Sequence, residues 1–181
     1  MSDQKRLLAL LIEKSYENRE VILSSGKKSN FYIDVKQTAL NAEGMNLLGN
    51  LLFEKVMSGE KVEAIGGITM GADPLACAVS MWSIFQKKPL HAFFIRKEPK
   101  SHGTAQWIEG MKNLKSKMPV AILEDVVTTG ASTLRAIERA KQAGLVVKRV
   151  IAVVDRQEGG KETIEKEGYK LESLFKKEDF I

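Results

Sequence analysis

The sequence predicts an α/β fold: a mostly parallel central sheet flanked by helices, with a small N-terminal hood lobe. Three observations carry this. Apolar runs at residues 62–67, 90–95, 120–123 and 146–154 alternate with helical apolar spacing at 41–57, 74–86 and 131–143, which implies crossover connections. The run Val120-Ala121-Ile122-Leu123 is continuous, as in a strand buried on both faces. Helix borders are punctuated where that alternation requires it, by Asp73-Pro74 at a start and by Gly144 and Gly168 after ends.

The chain opens with Leu7, Leu8, Leu11, Ile12 and Tyr16 on one face of a helix expected over residues 3–19. Residues 21–23 and 31–35 read as short strands around a Ser24-Ser25-Gly26 turn. Within a single domain spanning 1–181, about the first 40 residues precede the regular alternation and are assigned to the hood. Gly26-Lys27-Lys28-Ser29 is not a P-loop, because Val21 stands where the first glycine is required and Lys28 where Ser or Thr should follow the lysine. The next helix gathers Met45, Leu48, Leu51, Leu52 and Val56, and the strand after it ends in Gly66-Gly67. Asp73 is then the expected N-cap and Pro74 the first helical position, with Cys77 a small core residue of that helix. His91 falls in an apolar strand and is expected to be buried. After the 120–143 unit come a strand over 146–154, a short helix over 161–167 and a last strand over 169–174.

At 181 residues the chain has the length of one domain and can bury roughly 70% of the surface its unfolded form exposes. The apolar run after Lys5 and Arg6 ends at Glu13, short of a secretory signal, and no run approaches the ~20 residues of a membrane span. Cys77 is the only cysteine, which excludes an internal disulfide and favours a cytoplasmic location. The formal net charge of +5 and the pI near 9.2 favour anionic partners. The cations are scattered, aromatics make up 7%, and no helix carries a basic stripe. A small phosphorylated ligand is therefore expected, not nucleic acid or a membrane.

The chain is organised around VAILEDVVTTGAST, residues 120–133. Glu124 and Asp125 come where the strand is expected to end, and a helix starts at Ala131. Ligands of open α/β sheets collect at such strand ends, and a helix N-terminus there favours an anion. Thr128, Thr129, Ser132 and Thr133 add hydroxyl donors. Taken alone, the acids also fit a solvated loop, and Ser132 or Thr133 a plain helix cap. The whole string resembles the phosphoribosyl pyrophosphate (PRPP) signature of type I phosphoribosyltransferases. That resemblance implies that Glu124 and Asp125 hold the ribose hydroxyls. Through Val126 and Val127 the chain then reaches Thr128, Thr129, Gly130, Ala131 and Ser132, which are implied to hold the 5′-phosphate.

A second constellation precedes it. Arg96-Lys97-Glu98-Pro99-Lys100-Ser101-His102-Gly103 packs three permanent cations and a histidine into seven positions. Pro99 and Gly103 argue against a helix, and like charges this close repel unless an anion neutralises them, although a solvated basic loop is the plain alternative. The order R-K-x-x-K-x-H-G resembles the catalytic loop of orotate phosphoribosyltransferases, which join orotate to PRPP in de novo pyrimidine synthesis. Residues 23–34 (LSSGKKSNFYID) resemble that family's base-binding segment and residues 66–74 (GGITMGADP) its pyrophosphate-facing turn. Residues 152–157 (AVVDRQ) resemble the strand end whose arginine meets the orotate carboxylate. The resemblance implies a catalytic set of Arg96, Lys97, Lys100, His102 and Asp125, with the first four on pyrophosphate. It also implies orotate contacts from Thr128, Arg156 and Tyr32, and a homodimer sharing loop 96–110 between subunits. Mg²⁺ is implied as the cofactor, held mainly by PRPP and water, with Asp125 a candidate ligand.

The chemistry of that reaction gives each residue type a reason. Breaking the C1–O bond of PRPP builds positive charge on the ribose and negative charge on the departing pyrophosphate. Arg96, Lys97 and Lys100 suit that leaving group, and His102 suits hydrogen bonding or protonation of the same oxygens. Arg156 offers a planar bidentate match to a carboxylate, its alternative being a pair with Asp155 or Glu158. Tyr32 fits either stacking on a pyrimidine or a core place; Trp107 fits either a lid contact or an exposed aromatic. Gly103 and Gly110 are candidate hinges. Ser24 and Met70 stand where some family members have lysines, and Glu124 where many have Asp. Two other functions compete. A phosphoribosyltransferase for another base, such as a purine, is disfavoured by Arg156 and the basic loop. A PRPP-sensing regulator has no need of Lys97, Lys100 and His102 together.

Overall fold

The computed structural model describes residues 1–22, 28–99 and 106–181. The chain begins with α1 (Asp3–Lys14), β1 (Tyr16–Glu17), β2 (Val21–Ile22), β3 (Lys28–Ser29) and β4 (Tyr32–Ile33). Then come α2 (Lys36–Ala39), α3 (Ala42–Met57), β5 (Ala64–Ile68), α4 (Asp73–Phe85), β6 (His91–Ile95) and β7 (Ile108–Glu109). β8 (Pro119–Val127), α5 (Ala131–Gln142), β9 (Val146–Asp155), α6 (Gly160–Lys166) and β10 (Leu171–Lys176) complete the order.

The six-stranded sheet has the order β10-β9-β8-β5-β6-β7, parallel throughout except for β7, which turns back along β6. β6 lies on one side of β5, and the chain then returns to lay β8 on the other. The winding direction thus reverses between β5 and β8, and open α/β sheets bind ligands in the crevice outside the strand ends at such a point. β8 shows the two-residue alternation that buries both faces. Ala121 and Leu123 join Leu7, Leu48 and Val79 of α1, α3 and α4, while Val120 and Ile122 join Ala136 and Ile137 of α5 and Ile164 of α6. The N-terminal residues Phe31, Ile33 and Val35 share the first of these clusters with Phe175 and Phe180.

Long-range packing moves several borders. The first helix stops at Lys14 instead of residue 19: Ser15 is its C-cap and holds Thr38 by a 2.7 Å hydroxyl contact. Tyr16 pairs with Ile33 in β1–β4 and sets its ring 5.1 Å from that of Phe31, a contact that helical spacing does not report. The strand expected over 31–35 is reduced to β4, and α2 and β7 are too short to show a period. β8 runs on to Val127 because Glu124, Val126 and Val127 still pair with β9, so the two acids lie inside the strand and not past its end. Asp73 is the first residue of α4, not its cap; Ala72 holds that place, and burial pushes the Asp73 carboxyl pKa up. His91 and Cys77 are exposed, not buried, the first at the open start of β6 and the second on the outer face of α4. Gly144 does end its helix as expected, with φ +82° and the Leu145 N–H reaching back to the Ala140 carbonyl.

One buried cation ties the layers together. Arg149 of β9 is 6% exposed, donates to the Lys55 and Val56 carbonyls at the end of α3, and pairs with Glu172 of β10. Arg149→Met strands Glu172 and those carbonyls together, and is expected to cost about 3 kcal/mol in urea unfolding. An unchanged midpoint would remove this contact from the account of the fold.

Candidate active site

A cavity of about 490 Å³ opens at the carboxyl ends of β5 and β8, where the winding reverses. Lys36 enters it from α2, Thr69, Met70 and Gly71 from the turn after β5, and Arg96 and Lys97 from the end of β6. Trp107 comes from just before β7, Glu124 and Asp125 from β8, and Ser132, Arg135 and Arg139 from α5.

Strand alternation sends the two acids opposite ways. Glu124 is 6% exposed and faces α5, where Ser132 Oγ and Thr133 Oγ1 donate to its Oε2 at 3.1 and 3.0 Å. Burial, and next the neighbouring charge of Asp125, push the Glu124 pKa up to about 7, against the pull of the two hydroxyls. Asp125 is half-buried and accepts the Val126 N–H at 2.8 Å. Lys36 Nζ lies 3.9 Å from its Oδ2 and 2.5 Å from Asp34 Oδ1. Against the cost of burial, Asp34 and Asp125 together hold the Lys36 ammonium above its ordinary value. A Cβ on Gly71 would fall 2.6 Å from the Asp125 carboxyl carbon, so only glycine lets the turn after β5 approach this closely.

From Thr128 to Ser132 the backbone turns out of β8 into α5. Gly130 has φ +82°, and a Cβ there would sit 2.9 Å from the Gly160 carbonyl. No side chain caps α5, which leaves its first N–H groups available to an anion. Thr128 and Thr129 stand half-buried beside them. Thr133, expected among the anion donors, is instead fully buried and bonded to Glu124, because it points to the sheet side of the first helical turn. Ser132 lines the cavity while its hydroxyl also donates to Glu124.

Arg96 and Lys97 reach the same cavity. Arg96 Nη1 meets Glu109 Oε1 across the β6–β7 pair at 3.1 Å, and its Nε donates to the Glu98 carbonyl. Lys100, His102 and Gly103 lie outside the described residues, as do Ser24 and the rest of residues 23–27. Gly110 takes φ +90° at the end of β7. Met70 is 69% exposed in the turn after β5.

Beyond β8, Arg156 follows the end of β9, its N–H bonded to the Val127 carbonyl and so next to Thr128. The side chain is 7% exposed as a residue, and Nη2 donates to the Phe31 carbonyl at 2.7 Å and meets Glu158 Oε1 at 3.1 Å. The pair with Glu158 that the sequence left as an alternative is therefore formed. Nε is buried without a hydrogen-bond partner among the described residues. Tyr32 is half-buried outside the main core, with the Arg19 guanidinium 4.2 Å over its ring.

Sequence reasoning missed Lys36, Arg135 and Arg139. The two arginines follow Ser132 at i+3 and i+7, a spacing that puts all three on one helical face. Lys36 carried no such signal, since its partner Asp125 is remote in the chain.

No protein-family model matches the chain. Among solved structures, the orotate phosphoribosyltransferase of Mycobacterium tuberculosis in complex with Fe(III) dicitrate matches with a TM-score of 0.85 and 34% identity over 99% of each chain. A structure of that enzyme in complex with PRPP matches at 0.81 and 32%, again over 99% of each. The fold is that of a type I phosphoribosyltransferase. An orotate phosphoribosyltransferase of Sorangium cellulosum is 48% identical over 180 residues, 99% of this chain and 94% of the relative. The chain belongs to the orotate phosphoribosyltransferase family.

The raised Glu124 pKa fixes the sign of a stability effect. The folded state holds this proton more tightly than the unfolded chain, so the contribution of Glu124 is fully present below its ordinary pKa of 4.5 and is lost as pH rises through about 7. Glu124→Gln should therefore flatten the decline of the urea midpoint between pH 5 and 8. An unaltered slope would show that Glu124 is not the group responsible.

Proposed function

We infer that the chain catalyses transfer of the ribose 5-phosphate group of PRPP to orotate, giving orotidine 5′-monophosphate and pyrophosphate in pyrimidine synthesis. One observation carries this reading. A single cavity places an uncapped helix N-terminus and two acids opposite Arg96 and Lys97, with Arg156 at the neighbouring strand end. The names of the matching relatives, and the PRPP bound in the M. tuberculosis structure, agree with it.

In this reading the first N–H groups of α5, with Thr128 and Thr129, hold the 5′-phosphate, and Asp125 and Glu124 hold the ribose hydroxyls. Arg96 and Lys97, with Lys100 and His102, surround the pyrophosphate and stabilise the charge it gains as the C1–O bond breaks. A ring nitrogen of orotate attacks C1 from the opposite face, with inversion. Arg156 faces the orotate carboxylate, Thr128 and Tyr32 border the base, and about the first 40 residues form the hood above it. Among the described residues no group of three or more His, Cys, Asp or Glu is arranged to hold a metal. Asp125, which faces the cavity, fits a Mg²⁺ carried mainly by substrate phosphates and water, as that ion commonly is. When bound, Mg²⁺ supplies charge neutralisation of the leaving group.

A homodimer sharing loop 96–110 is part of the proposal. Met81, Ile84 and Phe85 are 51%, 64% and 70% exposed on α4, an apolar face suited to a second copy. No described helix is long and apolar enough to cross a membrane, and a cytoplasmic enzyme with no nucleic-acid partner is proposed.

The direct test follows the ultraviolet absorbance of orotate on adding PRPP and Mg²⁺. A protein that binds PRPP but leaves the absorbance unchanged is not this enzyme. Lys97→Ala should lower kcat by about 10²–10³. Mixing Lys100→Ala with Asp125→Asn, each inactive alone, should restore activity if the loop is shared; a mixture that stays inactive argues for self-contained sites.

A further inference from the structure

We propose that Arg139 is a positioning residue: stacked on Trp107, it holds the end of β6, and with it Arg96 and Lys97, against the helix that forms the phosphate cradle. The Arg139 guanidinium carbon lies 3.5 Å from the centre of the Trp107 ring, within cation–π range. Arg139 Nη1 also donates to Gln142 Oε1 at 2.9 Å, which orients the guanidinium. On the other side of the ring's own residue, the Trp107 carbonyl accepts the Arg96 N–H at 2.9 Å, the contact that extends the β6–β7 ladder beyond Ile95 and Ile108. Glu109 then fixes the Arg96 side chain across the same ladder.

These contacts form one route from α5 to a cation that faces the cavity. Ser132 at the start of α5 and Arg139 two turns later share a helical face, and both line the cavity with Trp107 and Arg96. β7 has only two residues and pairs with one strand alone, so its own ladder restrains it weakly. The stack supplies the missing restraint from the rigid helix, where electrostatic stabilisation of a leaving group needs fixed geometry. The inference rests on the reading that Arg96 and Lys97 meet pyrophosphate.

The test compares Arg139→Ala, Trp107→Leu, the double variant and Trp107→Phe, with Arg96→Ala as reference. Arg139→Ala should lower kcat/KM for PRPP about two- to fivefold, the worth of a partly exposed stack, while KM for orotate stays unchanged and the melting temperature falls by no more than about 4 °C. Trp107→Phe keeps an aromatic face and should retain most of the activity. The double variant should lose no more than Trp107→Leu alone, since both break one contact. A lowered melting temperature with intact kinetics would make the stack merely structural and overturn the proposal. If Arg139→Ala is silent while Arg96→Ala is impaired, the proposal falls and the pyrophosphate reading stands. If Arg96→Ala is silent as well, both fall.

Discussion

A carboxyl group that a sheet buries must be met by donors, and much of this site follows from how Glu124 is met. β8 continues its pairing with β9 through Glu124, so the side chain is carried under α5 instead of out to solvent. An unsatisfied polar group there would cost roughly 1–3 kcal/mol, and more if charged. Ser132 and Thr133, in the first turn of α5, supply the two hydroxyls. That contact sets where the helix begins relative to the strand, and therefore where its free N–H groups point. Gly130 and Gly160 allow the turn and α6 to close underneath without a side chain between them.

The same alternation that buries Glu124 turns Asp125 toward the cavity. Its environment is the reverse of its neighbour's: a lysine at 3.9 Å, a backbone N–H, and a glycine turn pressed against it. Burial and the neighbouring charge of Asp125 let Glu124 hold a proton up to about pH 7. On the proposed reading, a cation or ribose hydroxyls reaching both acids then favour the ionised form of Glu124.

The legible parts were those encoded locally. The apolar run, acids, hydroxyls and glycine of residues 120–133 are consecutive, and a strand, a turn and a helix all occur there. The length of β8 was not legible, because the ladder partner that extends it lies on β9. Tyr16 was placed in a helix since its spacing fits one; its aromatic contact with Phe31 comes from folding. Cys77 and His91 were assigned to the core from apolar neighbours, yet exposure in α4 and at the first residue of β6 depends on what packs outside. Lys36 had no local signal for the same reason, its partner Asp125 being distant in sequence.

The base side of the site shows how one contact can serve structure and recognition together. A guanidinium as buried as that of Arg156 is costly without a counter-charge, and Glu158 supplies one in the protein alone. That pair does not exhaust the side chain. Glu158, Phe31 and Ser29 all engage Nη2, while Nε remains buried without a partner among the described residues. On the proposed reading, an orotate carboxylate that reached Nε would satisfy this donor, which a base without one would leave unpaired. Sites built to pair a substrate's polar group reject analogues lacking it far more strongly than apolar pockets reject a missing methylene. The bond from Nη2 to the Phe31 carbonyl also fastens the N-terminal segment to the end of β9. On the proposed reading, the residue that selects orotate is thus the one that keeps the hood in place above it.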